Sequence, residues 1–137
     1  MSYGVSAALQ AAVYERLAGD AALAALVGGA IYDVVPAGQL PETYVSLGPE
    51  DVTDRSDKSG RGAEHRFTVS VVSEAAGFQT AKAAAGAASD ALLPGGLVLA
   101  RGRLVAIEFL QARARRVRAG NVRRIDLTFR ARVEDDI

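Results

Sequence analysis

Asn121 to Val133 settles into strict alternation, with Ile125, Leu127, Phe129, Ala131 and Val133 apolar and polar or charged side chains between them. A helix would scatter such a set around its axis, whereas a strand with one face in a core and the other in water keeps it on one side. The same period recurs in three more places. Glu64 to Glu74 sets Phe67, Val69 and Val71 against Arg66, Thr68 and Ser70. Thr43 to Leu47 sets Val45 and Leu47 against Tyr44 and Ser46, and Gly48-Pro49 is expected to close it. Leu104 to Leu110 points Val105, Ile107 and Phe109 inward. Ala119-Gly120-Asn121 supplies a turn joining the last two strands into a hairpin. Ala112 to Arg118 is strand-like but almost devoid of large apolar residues, so this end of the hairpin is expected to project beyond the core.

Three segments read as helices. Leu9, Val13 and Leu17 recur at four-residue spacing with Ala8 and Ala12 beside them, and Ser6 is a candidate N-cap. After Gly19, Asp20 can cap a short second helix carrying Leu23, Leu26 and Val27, which Gly28-Gly29 ends. Gly77 to Leu93 places Phe78, Ala81, Ala85, Ala88 and Leu92 on a surface of small residues that can lie close against a sheet, and Pro94-Gly95-Gly96 stops it. Ile31 to Val35 is short, and Pro36, Gly38 and Pro41 make it a connector. Glu50 to Gly62 is polar, charged and ends in glycines, as in a long exposed loop. The expected class is α+β: a four-stranded, mainly antiparallel sheet with helices packed on one face, in the order α-β-β-α-β-β. At 137 residues the chain holds one domain, residues 1–137.

Composition removes several functions. There are no cysteines and one histidine, which excludes disulfides, thiolate metal sites, a cysteine nucleophile and every two-histidine metal motif. His65 has no accompanying serine or carboxylate motif and reads as an ordinary histidine at a strand end. Gly28-Gly29 and Gly95-Gly96 lack the lysine and spacing of nucleotide loops. Asp51, Asp54 and Asp57 recur every three residues but lack the pattern of a calcium loop, and Arg55 and Lys58 sit among them. No catalytic residue, metal or cofactor is expected. Nor does any window approach the ~18 apolar residues of a membrane span, and the N-terminus lacks a basic-then-apolar signal, so a cytosolic chain is expected.

Charge is balanced overall and split along the chain. Met1 to Asp57 carries eight acidic residues against Arg16 and Arg55, while Arg101 to Arg132 carries ten arginines against Glu108 and Asp126. The densest group is Arg113, Arg115, Arg116, Arg118, Arg123 and Arg124. It can grip phosphates or pair with carboxylates of a neighbouring subunit. Aromatic residues are absent from this stretch, so base stacking gains no support, and contact with a second copy is favoured in a chain whose halves have opposite charge.

The block Gly-Asp-Ala-Ala-Leu-Ala-Ala-Leu-Val-Gly-Gly-Ala-Ile-Tyr-Asp (19 to 33), followed by Val-Pro-Ala-Gly-Gln-Leu-Pro-Glu-Thr-Tyr-Val-Ser-Leu-Gly (35 to 48), resembles the DUF3168 family of tail-completion proteins. These are tail terminators of long-tailed phages and gene transfer agents. His-Arg-Phe-Thr-Val-Ser-Val-Val (65 to 72), the alanine helix and Arg-Ile-Asp-Leu-Thr-Phe-Arg-Ala (124 to 131) extend the resemblance to nearly the full length. It implies a non-enzymatic virion protein, assembled in the bacterial cytoplasm. This protein would form a hexameric ring at the head-proximal end of the tail tube, stop tube polymerisation and meet tail-tube and neck proteins. Genomic DNA would pass through its lumen without sequence-specific binding. The residues themselves leave two rivals: a related tail-tube or neck protein, and an arginine-rich nucleic-acid-binding protein. From charge and exposure, the six arginines are assigned to a subunit interface, and Asp54, Arg55, Asp57, Lys58 and Arg61 to an assembly loop that is mobile until it meets a neighbour.

Overall fold

The alternating segments pair into a single sheet in a computed structural model that describes residues 3–58 and 60–136. Five strands, β1 (Ile31–Tyr32), β2 (Thr43–Asp54), β3 (Gly62–Ser73), β4 (Arg103–Val117) and β5 (Val122–Glu134), stand in the order β1-β2-β3-β5-β4. The fifth strand is the two-residue β1, which runs parallel to β2 where a connector was expected; all other pairs are antiparallel. The sheet is therefore mixed. Two residues carry no period, so β1 has no sequence signature of its own.

Helices α1 (Ser6–Ala18), α2 (Ala21–Val27) and α3 (Gln79–Leu92) contribute to one core with the inward side chains of the sheet. Leu9, Leu17, Leu23, Ala84, Ala88 and Leu92 meet Val45, Val69, Val71, Leu127 and Phe129 there. Phe129 stacks on Phe67 with ring centroids 5.6 Å apart and takes the edge of Phe109 at 6.0 Å. Alanine on α3 lets the helix axis approach the sheet, as the small-residue surface predicts. Asp20 caps α2 by accepting from the Leu23 amide at 2.9 Å, and Gly28 ends it in the left-handed conformation at φ 66°. Ser6 does not cap α1. The preceding Val5 holds that position, and the Ser6 hydroxyl is used elsewhere. Leu26 is also solvent-exposed rather than buried.

Three bulges correct the strand readings. Gly48-Pro49 does not close β2; it falls where the register shifts between Leu47 and Glu50, and the strand continues to Asp54. Proline lacks a donor and is tolerated at a bulge near a sheet edge. The extra residue reverses the alternation, so Glu50 takes the helix side opposite Phe67. The connection between β2 and β3 is thus only 55–61, far shorter than the expected loop. In β4, the shift between Leu104 and Ala106 turns Leu104 inward and leaves Val105 unpaired and 44% exposed, while Ile107 and Phe109 keep the inward side expected of them, Phe109 staying 44% exposed on this edge strand; a second shift follows between Phe109 and Gln111.

Ala112 to Val117 does not project. It pairs residue by residue with Val122 to Leu127, of which Arg123 to Leu127 pair on their other side with β3. Its small inward residues suffice because β5 supplies the core there, while β4 is the sheet's edge. Only 118–121 lies beyond the ladder, in a turn where Arg118 and Ala119 have φ 52° and 57°.

Candidate assembly surface

The face of the sheet away from the helices carries an organised polar surface beside a small apolar cluster of Tyr44, Val72 and Val122. Register assigns to it Glu64, Arg66, Thr68 and Ser70 of β3, Arg124, Asp126, Thr128, Arg130 and Arg132 of β5, and Glu108, Gln111, Arg113 and Arg115 of β4. Opposite charges meet both along strands and across them. Arg124 Nε lies 3.0 Å from Asp126 Oδ1 and Arg115 3.5 Å from Oδ2. Arg130 donates to both carboxylate oxygens of Glu108 at 3.0 and 3.1 Å. Arg66 and Arg55 lie 3.2 and 3.8 Å from Glu64. The buried Ser70 hydroxyl donates to Asp126 at 2.6 Å. Burial pushes the Asp126 carboxyl up, but Ser70, Arg124 and Arg115 together outweigh this and hold it below the usual aspartate range.

The predicted arginine cluster is divided. Arg113, Arg115 and Arg124 lie on the open face; Arg116 and Arg123 lie on the helix side in one row; Arg118 is in the turn. The Arg116 guanidinium stands 5.6 Å from the Phe78 ring centroid, and Arg123 Nε is buried without a hydrogen-bond partner. Arg113, Arg116 and Arg118 make no ion pair with another described residue and are exposed.

The residues of the expected loop are stitched by backbone bonds on either side of Ser59, which lies outside the described residues. Asp54 ends β2 and accepts from the Ser56 amide and hydroxyl at 3.1 and 2.7 Å. The Arg55 amide donates to the Gly62 carbonyl at 2.8 Å and that of Asp57 to Gly60 at 3.0 Å, while the Arg61 carbonyl accepts from Asp135 at 2.9 Å. A Cβ on Gly62 would stand 2.6 Å from the Arg55 carbonyl oxygen, so this closure requires glycine. Lys58 and Arg61 are exposed. Asp51 sits within β2 opposite Arg66, so the three aspartates do not converge. Among the described residues no group of histidine, aspartate and glutamate side chains is placed to hold a metal ion.

One polar cluster was not expected from the sequence. Glu50, turned inward by the bulge, accepts from Tyr3 at 2.6 Å and from Ser6, and lies 3.2 Å from Nδ1 of His65. His65 is fully buried in the fourth position of β3, not at its end as the pattern suggested. The signal available was the Gly48-Pro49 pair, readable as a bulge as well as a stop. No described helix is long and apolar enough to cross a membrane.

Comparison with known proteins follows nearly the whole chain. Residues 11–134 match the family described as tail completion protein gp17. A chain in a solved structure of the virion of a native gene transfer agent particle is 66% identical and superposes with a TM-score of 0.92, covering 97% of this chain and 99% of that one. No curated protein matches.

Proposed function

The chain belongs to the tail completion protein gp17 family, and from that premise we propose that it is the structural virion protein that terminates the tail tube of a phage-like particle. It forms a homo-oligomeric ring at the head-proximal end, with six subunits as the family resemblance implies. The ring stops tube polymerisation, joins tail to neck and lets DNA pass through its lumen. The observation that carries the reading is the similarity, along nearly the full length of both chains, to a chain of a gene transfer agent virion. The two chains share one fold along that length, with a TM-score of 0.92, which supports reading them as the same kind of virion component.

Electrostatics favours protein contact over a phosphate grip. The six arginines of the open face outnumber its three carboxylates, but Arg66, Arg115, Arg124 and Arg130 are each held by Glu64, Asp126 or Glu108, which weakens the positive field that draws nucleic acid. The interface assignment for Arg113, Arg115, Arg116, Arg118, Arg123 and Arg124 is therefore narrowed in this proposal to the β4 edge and its turn. Asp54, Arg55, Asp57, Lys58 and Arg61 touch an adjoining ring or tube subunit.

The test is deletion of the gene from a producing strain. Particles lacking the protein should show tails of unregulated length or tails unattached to heads by negative-stain microscopy. Normal particles in its absence would remove the terminator reading.

A further inference from the structure

The two edges of the sheet carry opposite charge at matching heights. β4 ends the sheet on one side and exposes Arg113, Arg115 and Arg116. On the other side β1 is followed by Asp33, and Glu42 immediately precedes β2, with Glu74 hydrogen-bonded to it through the backbone. Asp33, Glu42 and Glu74 are exposed and make no ion pair with another described residue. The ladder fixes their level. One row runs Tyr32, Ser46, Ser70, Asp126, Arg113, beginning beside Asp33 and ending on an arginine. Another runs Thr43, Ser73, Arg123, Arg116, beginning beside Glu42 and again ending on an arginine.

Apolar surface follows the same division. The helices cover β2, β3 and β5, and between α3 and β4 they leave a groove of about 280 Å³ lined by Lys82, Gly86, Ser89, Phe109, Ala112 and Ala114. Beside Asp33 on the far edge, Val34 is 81% exposed. A rotation about an axis parallel to the strands carries one edge onto the other while keeping every row at its own height. Contacts between unlike surfaces close into rings under such a rotation.

We propose that the β4 edge of one copy docks against the β1 edge of the next, with Arg113 and Arg116 facing Asp33 and Glu42 and Val34 seated beside Phe109 and Ala112. This contact rests on the ring reading above and names the surfaces that close it. Charge pairing fixes the register, and the apolar patch is covered by the neighbour.

Because the chain has no cysteine, the contact can be trapped in intact particles. Val34→Cys with Ala112→Cys, treated with a short bifunctional maleimide, should give a ladder of cross-linked copies ending at the closed ring; neither single variant should. Separately, Arg113→Glu with Arg116→Glu should lower incorporation into particles about tenfold or more, and Asp33→Arg with Glu42→Arg in the same chain should restore it. All six positions are at the surface, and an unchanged melting temperature separates lost docking from lost folding. Particles whose tail ends hold a ring that gives no ladder, or no rescue, overturn this contact and leave the ring reading standing. A single copy at the tail end overturns both.

Discussion

Glu50 Oε2 stands 3.2 Å from Nδ1 of the fully buried His65, on a carboxylate that also accepts from Ser6 at the start of α1 and from Tyr3 before it. One side chain thus ties the N-terminal helix to the bulge in β2 and to the middle of β3. Burial acts to raise its pKa, and the hydroxyls of Ser6 and Tyr3 together with His65 outweigh that and hold it below the usual glutamate range.

Acid should therefore loosen the fold through this cluster. A carboxyl whose pKa is lower in the folded chain contributes stability that is full above its unfolded pKa, about 4.3 for glutamate, and is lost as pH falls through the folded value. Asp126 acts in the same sense from its own unfolded value near 3.9. Denaturant titrations should show stability declining below about pH 4.5, less steeply in Glu50→Gln. An unchanged acid limb in that variant would contradict the role given to Glu50.

Asp126→Asn should destabilise the monomer by about 1–3 kcal/mol, because a buried Ser70 hydroxyl and the Arg124 guanidinium lose a charged acceptor. Thermal unfolding checks it. Ser70→Ala removes the buried donor along with its bond and should cost less.

How far this could be read in advance depends on how local each signal is. Phe67, Val69, Val71 and the Ile125 to Val133 set declare their strands because one face meets a core and the other meets water. The caps at Asp20 and Gly28 are equally local. Bulges are different. Whether Gly48-Pro49 ends β2 or reverses its phase depends on β3, which comes later in the chain, so the inward turn of Glu50 was hidden. Val105 was misassigned for the same reason. The alanines and arginines of 112–118 looked like a projection because their apolar partner is β5, not their own side chains. Ser6 looked like a cap because its acceptor lies 44 residues away.

Ala119→Gly should stabilise the protein by about 0.5–1 kcal/mol. Ala119 has φ 57°, where a Cβ is strained and glycine is not. A lower melting temperature in this variant would mean that the turn is held by contacts other than its own backbone.

Removing 56–59 should leave the fold intact, since β2 and β3 already pair up to Asp54 and Ala63 and three residues suffice to join them. Circular dichroism and melting should be near wild type, while the yield of completed tails falls. Full yield would show that this connection touches nothing in the particle.

Replacing Arg115, Arg116 and Arg118 by serine should change the melting temperature little. The three are exposed, and the side-chain interactions they make among the described residues are one 3.5 Å pair with Asp126 and the Phe78 ring. Assembly should suffer instead. Normal incorporation together with loss of a salt-sensitive affinity for DNA would favour the nucleic-acid reading.

The central claim is that this chain closes the tail tube as a ring, and a reconstruction of the particle's tail focused on its head-proximal end tests it most directly. The account predicts a closed ring of this chain there, of six copies, stacked on the last ring of tube subunits. A single copy, a dimer, or this chain at any other place in the particle would contradict it.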